Sequence, residues 1–209
     1  GLSVALVEKK DYGGATSAAT SKLIHGGLRY LAKMEIGLVR ESLRERRILG
    51  NIAPNFVYPL PFILPNYKKW KGNIWKMLAG MYIYDMLSYD KKDTWDKSKR
   101  LPNHKLISHR KTVRVEPNLR QEKLRNSFYF FDYQSIFPER LTLAFIKSAA
   151  EYGARVSNYA KVEAFRHDDT GRITGVEVRD LFSGELKNIS AGLIINCGGT
   201  WADKILNLA

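Results

Sequence analysis

Cysteine is almost absent. Cys197 is the only one among 209 residues, so no disulfide can form within the chain, which fits a reducing compartment. No run reaches the roughly 18 uninterrupted apolar residues that a membrane-spanning helix requires. The four histidines, His25, His104, His109 and His167, match no metal-ligand spacing, and Cys197 has no second cysteine to complete a zinc site, so no metal is expected. There is no G-x-S-x-G nucleophile elbow, no phosphate-binding P-loop and no G-x-G-x-x-G dinucleotide fingerprint. The opening residues, Gly-Leu-Ser-Val-Ala-Leu-Val-Glu, carry neither an initiator Met nor the basic-then-apolar layout of a signal peptide. They read as the interior of a domain, entered at a strand. Internal repeats and low-complexity segments are missing too.

What is present is ordinary for a globular protein: 44% hydrophobic and 26% charged residues, enough for one large domain or two small ones. The charge is not balanced. Thirty-four Lys and Arg face twenty-one Asp and Glu, a net +13 that would attract phosphates, anionic lipids or nucleic acid, and would equally favour a small anionic substrate.

Along the chain, Ser3 to Val7 is a nearly continuous apolar run ending in Glu8, as expected of a strand buried on both faces of a parallel sheet. A glycine-rich loop follows, and the small-residue stretch from Ser17 to Tyr30 opens with a helical turn. Ile36 to Leu49 has Ile36, Val39 and Leu43 at helical spacing. Pro54, Pro59, Pro61 and Pro65 break any helix, and Phe56 to Leu64 reads as extended. Asn73 to Tyr89 is predicted to be a helix with a wide apolar face, and residues 90–105 a charged loop. Ser127 to Tyr133 is strand-like. Pro138 to Tyr152 is a helix with Leu141, Leu143, Phe145 and Ile146 as its apolar set and Gly153 as its stop. The pattern then returns to β: Arg155 to Phe165 and Ile173 to Asp180 alternate, with turns at Asp168 to Gly171 and Ser183 to Gly184. Leu193 to Ile195 is predicted to be a second buried strand, with a helix near Trp201.

Three constellations carry chemistry. Glu8, at a strand end, is placed to accept hydrogen bonds from an adenosine ribose, although only seven residues precede it and the glycine fingerprint belongs about 20 residues upstream. The plain alternative is a solvated carboxylate. Thr16, Ser17, Thr20 and Ser21 can bind a pyrophosphate or ribityl chain, Gly26 and Gly27 allow close approach to a flat ring, and Arg29 can grip a phosphate or carboxylate. The alternative is a cap followed by a turn. Leu193 to Trp201 breaks into Gly198-Gly199 where open α/β sheets bind ligands, or forms a simple βα turn.

Taken in order, four stretches resemble the FAD-dependent glycerol-3-phosphate dehydrogenase family: Gly1 to Glu8; Ala15-Thr-Ser-Ala-Ala-Thr-Ser-Lys-Leu-Ile-His-Gly-Gly-Leu-Arg-Tyr-Leu31; the helix from Met81 to Leu87; and Asn196-Cys-Gly-Gly-Thr-Trp201. The second is highly specific, while the last is shared by many flavin oxidoreductases. The resemblance implies an α/β fold with a Rossmann-like FAD-binding domain of the glutathione-reductase and D-amino-acid-oxidase type. That domain is interleaved with an α+β substrate domain, and this chain would be an internal segment truncated at both ends. Residues 1–50 and 140–209 would belong to the FAD domain and 51–139 to the substrate domain. The implied reaction is oxidation of sn-glycerol 3-phosphate to dihydroxyacetone phosphate, with hydride transfer to FAD and electrons passing to quinone. The resemblance places Glu8 on the adenosine ribose, and Thr16, Ser17, Ser21 and Lys22 along the pyrophosphate and ribityl chain. Leu23, His25, Gly26 and Gly27 would lie along the isoalloxazine, and Lys161 and Val162 at the adenine. Gly198, Gly199 and Trp201 would close over the dinucleotide, and Arg29 and Tyr30 would meet the substrate. The catalytic base is not identified; His25 is the candidate near the flavin. A cytoplasmic protein, peripheral on the inner membrane and compatible with a homodimer, is implied, with no nucleic-acid partner.

The pattern departs from the family at Phe137-Pro-Glu-Arg140, where relatives often carry Asp-Asp-Ala-Arg, so an acidic role there is in doubt. Without the glycine fingerprint, the chain alone is expected to bind FAD weakly or not at all and to be inactive. Two other classes stay open. One is a sister flavin oxidase in which Arg29 meets the carboxylate of a 2-hydroxy acid or an amine substrate. The other is a non-catalytic basic module for nucleic acid or a membrane surface, suggested by Lys91 to Arg100 with Tyr67, Trp70, Trp75 and Trp95 nearby.

Overall fold

The computed structural model describes residues 1–67 and 74–209; Trp70 and the expected helix start at Asn73 lie outside the described residues. In chain order the elements are β1 (Ala5–Val7), β2 (Leu23–Ile24), α1 (Leu28–Leu31), α2 (Ile36–Ile52), β3 (Tyr58–Tyr67), α3 (Ile74–Leu87), β4 (Lys105–Ser108), α4 (His109–Val115) and β5 (Leu124–Gln134). They continue with α5 (Pro138–Glu151), β6 (Arg155–Ser157), β7 (Ala160–His167), β8 (Ile173–Asp180), β9 (Leu186–Ser190) and α6 (Ala202–Leu206). The architecture is mixed α/β. It divides into a central unit, Ala19–Leu141, and a flanking unit, Gly1–Ala18 with Thr142–Ala209.

The central unit is built on β5. β3 pairs antiparallel along one edge of β5, while β2 and β4 pair along the other. Pro59, Pro61 and Pro65 sit inside β3. They occupy alternate positions and so share one side of the strand, and the residues between them sustain the ladder to β5. β3 is an edge strand, where missing donors do little harm. The period of two along β5 sends Phe128, Phe130 and Asp132 to one face and Tyr129, Phe131 and Tyr133 to the other. Phe128 and Phe130 pack with Leu31, Val39, Leu43, Met81 and Tyr84, so α2 and α3 cover that face. Burying a side chain such as Phe128 contributes about 1.5–3 kcal/mol. On the other face Tyr133 joins Val57 and Leu101.

The buried residues of α2 are Val39, Leu43, Arg46 and Gly50, one stripe at helical spacing with a cation inside it. α3 buries Met81 and Tyr84 and turns Trp75, Tyr82 and Met86 outward, so the wide apolar face expected there is only partly used. No helix among the described residues is long and apolar enough to cross a membrane.

Residues 90–105 were expected to be a charged loop, yet Lys91 and Lys99 are buried. Lys91 pairs with Asp85, whose other oxygen lies 2.7 Å from Nδ1 of His104. Lys99 Nζ donates to the Val57 carbonyl at 2.7 Å and sits 4.3 Å from the Tyr58 ring centre. Two cations of the supposed basic face therefore serve the interior, which weakens a nucleic-acid or membrane reading of that stretch.

In the flanking unit β1 pairs in parallel with β6, and β7, β8 and β9 form an antiparallel meander. The turns fall where the sequence placed them. Asp168 Oδ1 accepts the Thr170 and Arg172 amides, with Gly171 at φ 82°, and Asp180 Oδ1 accepts those of Phe182 and Ser183, with Gly184 at φ 75°. Gly153, at φ 92°, follows α5 as expected. The core is small: Ala160, Val176 and Val178, with Val7, Val162, Phe165, Ile189 and Ile194 against them.

Three expectations fail in this unit. The strand expected at Ser3 to Val7 is confined to Ala5–Val7, and its residues are exposed or half-buried rather than covered on both faces. Leu193 to Ile195 forms no strand: Ile194 packs inward, while Leu193 and Ile195 are 77% and 74% exposed. α5 starts at Pro138 as expected and ends one residue short of Tyr152, but it buries no residue, and Leu143 and Phe145 are exposed. A parallel strand such as β1 is covered on both faces only where other elements lie over the sheet, and among the described residues none buries both faces of β1, residues 193–195 or α5.

Candidate functional site

The candidate residues fall into two groups, one in each unit. In the flanking unit Glu8 follows β1 at the carboxyl end of the parallel β1–β6 pair, where open α/β sheets take ligands. Its backbone is held on both sides: Glu8 N–H donates to the Ser157 carbonyl, and the Glu8 carbonyl accepts from Ala160, each at 2.9 Å. One carboxylate oxygen accepts the Lys10 amide at 2.8 Å. Burial and the nearby carboxylates of Asp11 and Glu8 raise the Tyr12 phenol above its ordinary range.

Thr16 and Ser17 lie in the turn that follows, which is closed by Gly14 N–H to the Asp11 carbonyl and Ala18 N–H to the Gly13 carbonyl, both 3.1 Å. Lys161 and Val162 lie on β7, the lysine exposed and the valine packed against the meander core. Gly198, Gly199 and Trp201 form a 3-10 turn bracketed by Asn196, whose side chain accepts the Gly198 amide at 2.9 Å and donates to the Ala202 carbonyl at 3.0 Å. A Cβ at Gly198 would press on the Ile205 side chain at 2.7 Å, and Gly199, at φ 53°, adopts a conformation that favours glycine.

In the central unit Ser21 to Tyr30 runs from β2 into α1. Lys22 is left-handed, at φ 61°, a conformation that costs a non-glycine residue about 1–3 kcal/mol. It is held by Thr20 Oγ1, which accepts its amide at 3.1 Å, and by Ser135, whose amide donates to its carbonyl at 2.8 Å. Leu23 pairs with Gln134 on β5. His25, Arg29 and Tyr30 are exposed, while Gly26 and Gly27 are buried.

The glycines meet the protein rather than open space. A Cβ on Gly26 would collide with Leu43 and come within 2.7 Å of the Tyr84 hydroxyl. Gly26 N–H donates to that hydroxyl at 3.0 Å. Gly27, at φ 66°, donates its N–H to Nδ1 of His25 at 2.9 Å. An accepting Nδ1 places the proton of the neutral ring on Nε2, which is left as a donor. Both amides are thus spent within the protein.

Sequence reasoning missed the residues that hold this turn. Tyr84 donates to the Asp132 carboxylate at 3.0 Å, and Arg46 pairs with the same carboxylate. Burial raises the Tyr84 phenol far above its ordinary range, and the neighbouring Asp132 charge adds to this. Burial also raises the Asp132 carboxyl, against the opposing charge and hydrogen bond of Arg46. Two signals were available: Arg46 lies on the Val39–Leu43 stripe, and Asp132 interrupts an aromatic strand.

The model of the FAD dependent oxidoreductase family matches residues 1–209. A glycerol-3-phosphate dehydrogenase of Synechocystis is 37% identical over 100% of this chain and 37% of its own length. An alpha-glycerophosphate oxidase of Streptococcus pneumoniae is 33% identical over 100% of this chain and 33% of its own. The crystal structure of a Bacillus halodurans glycerol-3-phosphate dehydrogenase complexed with FAD superposes with a TM-score of 0.70 at 26% identity, covering 99% of this chain and 31% of that one. The chain therefore spans about a third of the length of these relatives. Matched from its first residue to its last, it belongs to the FAD dependent oxidoreductase family.

Proposed function

We propose that this chain is part of an enzyme that oxidises sn-glycerol 3-phosphate to dihydroxyacetone phosphate and passes the electrons to quinone. FAD, when bound, supplies the hydride acceptor. The observation that carries the reading is the Ser21–Tyr30 segment: its Gly26 and Gly27 amides are tied inward while His25, Arg29 and Tyr30 are exposed. The similarity to glycerol-3-phosphate dehydrogenases along the whole chain adds to it.

The residues suit the flavin by their chemistry. The Glu8 carboxylate at a parallel strand end matches ribose hydroxyls. Thr16, Ser17, Ser21 and Lys22 offer hydroxyls, amides and a cation for the pyrophosphate and ribityl chain, and Lys161 and Val162 offer backbone to the adenine. Gly198, Gly199 and Trp201 would close over the dinucleotide. Leu23, His25, Gly26 and Gly27 would lie along the isoalloxazine, with His25 Nε2 presenting a proton. Arg29 would hold the substrate phosphate with its planar fork, beside Tyr30. Residues 1–50 and 140–209 would serve the flavin domain and 51–139 the substrate domain. A lipid-soluble acceptor suits a cytoplasmic enzyme that is peripheral on the inner membrane, and a homodimer is compatible with the reading. The 209 residues alone should hold FAD weakly and be inactive.

Steady-state dye reduction by the full-length protein tests the reading. Glycerol 3-phosphate should be the substrate, with D-amino acids and 2-hydroxy acids inert. Arg29→Ala should raise KM by about 10- to 100-fold, as expected for loss of a charge-assisted bond worth roughly 1.5–3 kcal/mol. Oxygen uptake equal to dye reduction would replace quinone with oxygen as acceptor. Turnover of carboxylates alone would assign Arg29 to a carboxylate and overturn the substrate.

A further inference from the structure

Behind the His25-Gly26-Gly27 turn, three elements contribute one chain of buried polar groups: Arg46 from α2, Asp132 from β5 and Tyr84 from α3. The side chains of Arg46 and Asp132 are 1% and 5% exposed. Burying an ion pair is rarely the best route to stability, since apolar side chains of similar volume often serve as well or better. A charge pair kept in this core therefore calls for a role beyond packing.

Its wiring supplies one. The Tyr84 hydroxyl has a single proton, and it goes to the Asp132 carboxylate at 3.0 Å. Towards Gly26 the oxygen can only accept, and it takes the Gly26 N–H at 3.0 Å. Hydrogen bonding to a carboxylate polarises the hydroxyl and strengthens that acceptance. Arg46 is always charged, and its contact favours the ionised form of Asp132 against the effect of burial. The order is therefore guanidinium, carboxylate, phenol, amide.

The peptide between His25 and Gly26 is planar and trans, so pinning the Gly26 N–H inward points the His25 carbonyl the opposite way. The Gly27 amide, donating to His25 Nδ1 at 2.9 Å, fixes the imidazole to the same turn. Asp132 also interacts electrostatically with His25.

We propose that Arg46, Asp132 and Tyr84 are positioning residues. Through Gly26 they set the orientation of the His25 carbonyl and ring, and with it the polar face that the turn presents to the flavin. This rests on the reading that Ser21–Tyr30 lines the flavin, although the relay itself is a property of the central unit.

The test uses the full-length protein carrying Tyr84→Phe, which keeps the ring and removes the acceptor. Hydrogen exchange in peptides covering residues 22–30 should speed up while the peptides of β5 keep their protection. The visible spectrum of bound flavin should shift. kcat should fall by about 10- to 100-fold, the penalty expected for a small misplacement of reacting groups, with KM changed by less than about twofold. Asp132→Asn keeps the shape and removes the charge; it should move the same readouts less, and it decides the matter should Tyr84→Phe not fold. Wild-type exchange, spectrum and kcat in either folded variant, or a lowered melting temperature as the only change, would overturn the proposal. If the wild-type protein holds no flavin, the functional reading fails, while exchange at Gly26 still decides whether the relay holds the turn.

Discussion

The central and flanking units treat similar sequence patterns in opposite ways. In the central unit an arginine on an apolar helix stripe and an aspartate in an aromatic strand both end up inside, joined to each other. In the flanking unit the runs that read as core, Leu193 to Ile195 and the apolar set of α5, end up largely outside. Its ion pairs, such as Arg179 to Glu163 at 2.8 Å, lie at the surface. Coverage makes the difference. β5 has strands on both edges and helices over one face, whereas β1 pairs with β6 alone among the described residues. An apolar run reports what a segment can bury, and only its neighbours decide whether it does.

Substitutions can break or sharpen that contrast. The largest effect should come from Asp132→Ala, which leaves Arg46 buried and unpaired and should cost about 3–5 kcal/mol in urea unfolding. Glu163→Ala, the flanking counterpart, should shift the curve far less, because its carboxylate, shared by Arg179 and Lys161, is partly exposed and screened by solvent. A milder loss at Asp132 would mean that the pair is more solvated than its burial suggests.

Gly26→Ala comes next. The added Cβ must displace Leu43 and Tyr84, a clash expected to cost about 1–3 kcal/mol. Gly192→Ala in the flanking unit meets nothing within 4 Å and should fall within about ±0.5 kcal/mol.

Much of this fold was legible in the sequence. The helical spacing of Val39 and Leu43 in α2, the strand-like run in β5, the turns at Asp168 to Gly171 and Ser183 to Gly184 and the stop at Gly153 are local patterns that formed where they were read, although Ile36 at the start of the α2 stripe is exposed. The Ser21–Tyr30 segment could also be singled out, since its composition is unusual over a short span. The reason for glycine at position 26 was not legible, because Tyr84 lies 58 residues away in sequence and Asp132 a further 48. The prolines of β3 read as helix breakers within an extended run, and a strand formed there. They are tolerated because the strand lies at an edge, a fact of topology.

The smallest effect concerns pH. Burial alone would raise the Asp90 carboxyl, but the hydrogen bond and charge of Arg40, with the charge of Arg47, hold it below the ordinary range. Asp90 bonds Arg40 through both carboxylate oxygens at 2.9 Å and Arg47 at 3.0 Å. Its contribution should be complete above the unfolded value near pH 4 and disappear as pH falls through the lowered native value. Asp90→Asn should therefore destabilise the chain at about pH 6, and the difference from wild type should shrink as pH falls through the lowered native value. A loss that does not change with pH would remove the charge from the explanation.

The central claim is that Ser21–Tyr30 belongs to a flavin site for a phosphorylated alcohol. Anaerobic titration of the full-length protein tests it most directly. The account predicts about one FAD per chain, with its visible absorption bleached by glycerol 3-phosphate and untouched by glycerol or D-amino acids. A protein without flavin, or one whose flavin is bleached only by amino or 2-hydroxy acids, would contradict it.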